Sequence, residues 1–320
     1  MTTPTILAHL GGGTFAPLQL LPAFAAAGLY AVRVRSLAGT PRAVPGWRQA
    51  CFLSGIGLIL LVLVSPLSHV SEELFLAHMV EHLLLGDVGT LLLVLGLTGP
   101  VLAPVLRLPG MGWVRAIGHP AAALSLWAAD LYLWHVPSIH TAALQHGGVH
   151  ALQHACFIFF GANMWMPLFG PLPKPAWFGN AWQLAYIVGV RLAGAILGNV
   201  LVWSDSAFYP AYAKGEAYWH ITPMADQQVA GGIMMIEGSL LTISLFAWLF
   251  LKAAKQGEER QVLLDLARAR GVEVSDRRAA RAVAAGRGEE LRRRIEAAPP
   301  GTVIEAEEPP ARPPAAPAAA

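Results

Sequence analysis

LFLAHMVEHLLLGDVGTLLLVLGL, residues 74–97, decides what kind of protein this is. The stretch is long enough to cross about 30 Å of hydrocarbon as a helix, which takes about 20 apolar residues. Yet it carries His78, Glu81, His82 and Asp87. Ionisable groups inside a bilayer are costly, so they need a function or a partner. His78 and His82 have i, i+4 spacing, which puts both imidazoles on one helix face about 6 Å apart, able to share one metal ion or one polar site.

The rest of the chain reads the same way. Of its 320 residues, 55% are hydrophobic and 13% charged. The pattern predicts an all-α polytopic membrane protein, a bundle of seven transmembrane helices at about 14–32, 50–66, 74–97, 117–136, 148–169, 181–203 and 228–251, the second being the shortest. The first 13 residues lack Lys and Arg, and Arg33 and Arg35 follow the first apolar run, so no cleaved signal peptide is expected and the first span is retained. Arg33, Arg35, Arg42, Arg48, Arg107, Arg115 and Lys174 fall in one set of loops, whereas the alternate set holds only Lys214. By the positive-inside rule this places the N-terminus outside and the C-terminus in the cytoplasm of a bacterial plasma membrane.

The organisation expected is a membrane domain over 1–251, a cytoplasmic amphipathic helical tail over 252–297 that includes EERQVLLDLARAR, and a disordered Pro/Ala-rich end over 298–320. The Arg292–Arg294 run reads as a solvated face, with binding of lipid headgroups or of a partner subunit as the alternative. The net charge of +2 is set mostly by the cytoplasmic tail and says little about partners; the bilayer is the expected surroundings, and no nucleic-acid partner is expected. Cys51 and Cys156 are expected at different depths and free, and there is no CxxC.

Ten of the eleven histidines fall at the outer face, His119 being the exception. The fifth span opens HGGVHALQHACF, in which His146, His150 and His154 make a stripe if the helix extends through Gly147 and Gly148. The fourth span delivers Trp134 and His135 before Pro137, and the outer loop adds His140. Spans joined by short loops are usually neighbours, so His78, His82, His135, His150 and His154 can converge on one metal site. Neutral imidazole suits Cu, Zn, Fe and Ni alike. Met79 and Met224 would tilt the choice to Cu(I) if they approach, because a thioether is a soft ligand. Interhelical hydrogen bonding and a proton-linked switch are the other readings of the histidines.

Deeper in the chain, Asp87, Asp130 and Glu237 are expected within the hydrocarbon, and Arg191 is expected to pair with one of them. Asp226, at the start of the seventh span, is expected either to cap a helix or to hold the second ring nitrogen of a ligand histidine.

The motifs HMVEHLLL, LWHVPSIHTAAL, VHALQHACFIFFGANMWMPLFG, SAFYPAY and DQQVAGGIMMIEG resemble the CtaG-type membrane assembly factors of bacterial cytochrome c oxidase over about residues 50–250. The resemblance implies a polytopic protein that helps to make an active haem-copper oxidase through its copper centres, with cytochrome c oxidase subunits as partners. Some relatives are linked to copper-resistance membrane domains, which implies membrane or periplasmic copper proteins as further partners. It marks His78, His82, His135, His150, His154, Asp226 and Met234. Nothing here resembles the single-span copper chaperone that shares the abbreviation and uses cysteine ligands.

The residues predict a metal site at an outer-face histidine cluster, and the resemblance implies that the metal is copper and that the protein is a non-enzymatic assembly factor that binds or delivers it. His82 and His154 are the foremost candidate ligands, with Met79, Glu81, Asp226 and Met234 around them. An intramembrane zinc-dependent hydrolase, with Glu81 or Asp226 as general base, is the alternative. A haem-binding protein with axial histidines is the third.

Overall fold

The computed structural model describes residues 17–304, which are helical throughout, without a strand among them. Five of the helices are long and apolar enough to cross a membrane: Leu20–Leu37, Gly46–Val64, Phe75–Gly96, Asn180–Trp203 and Pro223–Ala269. The other two expected spans have physical reasons to differ. Pro120–Trp134 has 15 residues, about 22 Å of helix. Gly147–Phe169 has the length, with 23 residues, but buries His150, Gln153, His154 and Asn163.

Proline punctuation shapes the histidine-bearing end of this region. Pro137 forces Val136 into an extended conformation and opens a new helix, Pro137–Gln145, which buries His140. His146 is the extended residue before Gly147, so the histidine stripe starts at His150 and His146 stays exposed.

The third span carries a π-helical stretch, Leu84–Gly89, a feature that hydrophobic periodicity does not announce. Where Gly161 of Gly147–Phe169 meets Gly86 the two backbones approach closely; a Cβ on Gly161 would strike the Gly86 carbonyl oxygen. This approach holds the two histidine-bearing helices together.

At the opposite end of the third span, Arg48 donates to the Leu95 and Leu97 carbonyls at 3.0 and 2.9 Å. Lys174 donates to the Leu168 carbonyl at 2.7 Å. Two of the cations used to read the orientation therefore cap helix C-termini. Arg191 meets the expectation only in part: its charge acts on Glu237, but its hydrogen bonds go to the Met235 carbonyl at 3.0 Å and the Ser239 hydroxyl at 2.9 Å. No ion pair of Arg191 with Asp87, Asp130 or Glu237 occurs among the described residues, and Asp130 instead accepts from Trp134 Nε1 at 2.9 Å.

The chain divides into two compact units, 1–244 and 245–320, and the Pro223–Ala269 helix contributes to both. The second unit has its own core, with Leu263, Ala267, Ala279, Leu291, Ile295 and Ile304 buried together. Ser275 caps the Asp276–Ala284 helix. Residues 298–304, expected to lack a core, supply Ile304 and a bridge between Glu273 and Val303. The remainder of that expected disordered end, 305–320, lies outside the described residues. Arg292, Arg293 and Arg294 are exposed.

Candidate metal centre

The helix beginning at Phe75 and the helix Gly147–Phe169 each present one histidine pair. Ring centroids are 4.1 Å apart for His78–His82 and 4.2 Å for His150–His154. Across the helices they are 5.6 Å apart for His78–His150 and 5.4 Å for His82–His154. The two i, i+4 faces therefore meet as a four-ring cluster. Glu81 joins it, with Oε2 at 3.8 Å from His154 Nε2.

All five side chains are buried, with exposures between 0% and 9%. Among the described residues, both ring nitrogens of His78, His82 and His154 and also His150 Nε2 lack a hydrogen-bond partner, while the Ser71 and Ser68 side chains are the hydrogen-bonding neighbours of the Glu81 carboxylate. Unsatisfied buried polar atoms are rare, and each costs about 1–3 kcal/mol. So many in one place are what a metal centre leaves when its ligands are considered alone. Ligand atoms of His78, His82 and His150 lie within 4.8 Å of one another, as do those of Glu81, His150 and His154. Imidazoles and one carboxylate at this spacing fit a borderline or soft divalent or monovalent ion.

An aromatic roof closes one side of the cluster. Phe75 stacks on Tyr209 at 4.3 Å, and Tyr212 Oη shares a hydrogen bond with His140 Nε2 at 2.9 Å. The His140 ring lies 4.6 Å from His78. Burial pushes the His140 pKa down to about 3, so the ring is neutral and able to ligate. Burial and then Asp226 raise Glu216 on the Ala213–Trp219 helix. Gly215 of that helix packs on the Glu73 backbone, where a Cβ would collide with the Glu73 carbonyl. Removing the hydroxyl in Tyr212→Phe strands His140 Nε2; a loss of about 1–2 kcal/mol is expected, read as a lower melting temperature in detergent.

From the sequence His140 reads as a loop residue, and Tyr209 and Tyr212 enter only as members of the SAFYPAY motif, with no role of their own. The available signal was Pro137 as a helix start, which sets His140 one turn in.

His135 stands apart from the four-ring cluster. Its Nδ1 donates to the Leu131 carbonyl at 2.7 Å, and its Nε2 faces Met79 Sδ at 3.3 Å. Met234 lines a cavity with Met79, His82 and His135. Met224 is half-buried at the first turn of its helix and does not line that cavity.

Asp226 resolves as a cap, but for a different helix from its own. Its Oδ2 and Oδ1 accept from the backbone N–H groups of Phe75 and Leu76, both at 2.8 Å. Leu74 precedes that helix and has no capping side chain, so the carboxylate supplies the missing acceptor at the positive end. Beside it, Gln227 accepts from Phe208 N at 2.7 Å and donates to the Leu201 and Ser206 carbonyls, both at 3.2 Å. The Asp-Gln pair thus ties the Pro223–Ala269 helix to the start of the His78 helix and to the segment that carries Ser206 and Phe208.

Two mycobacterial proteins, Uncharacterized protein Mb0105 of Mycobacterium bovis and Uncharacterized protein MT0111 of Mycobacterium tuberculosis, are each 25% identical to the chain over 251 residues. The match covers 72% of this chain and 37% of each relative, so the chain spans little more than a third of their length. No solved structure matches. Residues 28–256, which include every histidine of the buried cluster, match the family described as cytochrome c oxidase caa3 assembly factor (Caa3_CtaG). The chain belongs to that cytochrome c oxidase caa3 assembly factor family.

Proposed function

We propose that this protein serves the assembly of a bacterial haem-copper cytochrome c oxidase by holding copper at the buried cluster of His78, His82, His150 and His154 and passing it on by ligand exchange. The observation that carries the reading is the concentration of partnerless imidazole nitrogens between two helices. Copper is cargo here: the rings bind it, Glu81 balances part of its charge, and Phe75, Tyr209 and Tyr212 exclude water from one side. In this reading the chain crosses the plasma membrane seven times with an outer N-terminus, the two less apolar helices being shielded by the others. It contacts oxidase subunits at the outer face, where membrane or periplasmic copper proteins are candidate donors.

The protein purified in detergent is expected to carry copper, and His82→Ala/His154→Ala to reduce that content to background and lower cellular oxidase activity. Unchanged metal content together with unchanged oxidase activity would overturn the assignment. Topology reporters placed at His140 and at Lys174 are expected on opposite sides of the membrane.

A second reading, a zinc-dependent intramembrane hydrolase, draws support from the Glu81, His150 and His154 set, which matches a two-histidine, one-carboxylate donor pattern. Stoichiometric zinc and hydrolysis of lipid or amide bonds would favour it. The haem alternative has less support, since ring centroids 4.1–5.6 Å apart provide no slot for a macrocycle among these four histidines.

A further inference from the structure

Beside the histidine cluster lies a second, chemically different set of donors. His135 is buried, with 8% exposure, and its Nδ1 donates to the Leu131 carbonyl, which fixes the tautomer. In the neutral ring Nε2 therefore carries a lone pair, and it points at Met79 Sδ, 3.3 Å away. A thioether also offers only lone pairs. Two such donors face each other with no hydrogen between them unless the ring becomes a buried imidazolium, which is costly. A shared cation removes the conflict. Metal–nitrogen and metal–sulfur bonds of about 2.0 and 2.3 Å can both reach one ion across that separation.

The surroundings point the same way. Met79, His82, His135 and Met234 line one cavity of 30 Å³, and Asp87 lines it too. That volume exceeds the roughly 10–15 Å³ that a single water needs, so an ion fits. Met79 and Met234 are buried, with 2% and 7% exposure. Two thioethers and neutral imidazoles form a soft donor set, and a single carboxylate in the wall balances a single positive charge. His82 belongs to both places: its ring is 4.1 Å from His78, and it lines the cavity.

We propose that Met79, His135 and Met234 form a second, soft-metal site that takes a monovalent cation such as Cu(I) and is joined to the histidine cluster through His82. An ion then moves between the two sites by exchanging one ligand at a time, without change of oxidation state, while His82 holds it throughout. The proposal rests on the copper reading above only for the identity of the natural ion.

The test uses the full chain in detergent with Cys51→Ala and Cys156→Ala, because free thiols also bind soft ions. Ag(I) alone probes soft sites, and Co(II) alone, through its visible absorption, probes the histidine cluster. The expected result is about two Ag(I) per chain, falling to about one in Met79→Leu/Met234→Leu with Co(II) binding retained. An Ag(I) stoichiometry unchanged by the double substitution overturns the second site. If the double variant binds neither ion, Met79→Leu and Met234→Leu are measured singly; each is expected to weaken the second Ag(I) at least tenfold, and unchanged affinity in both overturns the proposal. Loss of one Ag(I) in a protein that never binds Co(II) upholds the soft site and counts against the histidine cluster instead.

Discussion

Gly161→Ala is expected to lower the melting temperature sharply and to strip the protein of bound metal, although it adds one methyl group to a helix. The new Cβ would strike the Gly86 carbonyl oxygen and lie 2.9 Å from the Gly86 carbonyl carbon and 3.1 Å from Thr90 Oγ1. The obstacle is backbone, and that carbonyl is already engaged by the Thr90 hydroxyl within the π-helical stretch. The two helices must therefore part. Overpacking costs about 1–3 kcal/mol, and a backbone collision belongs at the upper end; the helix propensity gained by replacing glycine with alanine returns at most about 1 kcal/mol. Gly161 is seven residues, about 10 Å, from His154, so the parting opens the gap between His82 and His154 as well. Gly194→Ala is the control, because a Cβ there meets nothing within 4 Å. It is expected to hold or raise stability. If the two variants melt together and retain metal equally, the close crossing does not hold the site.

That contrast shows what a linear reading catches and what it misses. The pairs His78/His82 and His150/His154 were legible because helical periodicity fixes which residues share a face, and adjacency in the chain brought the two faces together. His135 joins them in the sequence because short loops make the third, fourth and fifth spans neighbours and because the resemblance marks it. It ends a helix, and a terminal ring is oriented by the nearest acceptor, here the Leu131 carbonyl of its own last turn, which turns Nε2 towards Met79. His140 was missed because a residue after a proline reads as loop until the new helix folds inward. Arg191 was expected to seek a carboxylate, but a guanidinium is equally served by a carbonyl and a hydroxyl on the neighbouring helix, and charge spacing does not reveal them. The π-helical stretch carries no periodic signature, yet it contains Gly86, against which Gly161 packs. In the second unit the apolar stripe through Leu263 and Ala267 was visible; the return of Ile304 was hidden in a segment whose proline content argued against any core.

Asp226→Ala is expected to be the most damaging substitution among the polar residues that touch no histidine. The carboxylate takes the first two backbone N–H groups of the His78 helix, from Phe75 and Leu76, and it is fully buried. Alanine leaves both donors without an acceptor in a place water does not reach. Hydrogen bonds to a charged acceptor contribute about 1.5–3 kcal/mol each, so a loss of about 3 kcal/mol or more is expected. Asp226→Asn keeps one acceptor but turns an NH₂ group towards the other N–H, so it should fall between alanine and the natural residue. The fraying would begin at Phe75, whose ring stacks on Tyr209 in the roof, and reach His78 within one turn. Metal retention should consequently fall in step with thermal stability across the Asp, Asn, Ala series. A residue that instead tuned a ligand histidine would weaken metal affinity while leaving the metal-free protein as stable as before. Measuring the melting temperature of metal-free samples separates the two roles: a series in which metal is lost at constant stability would remove Asp226 from the helix start and return it to the metal centre.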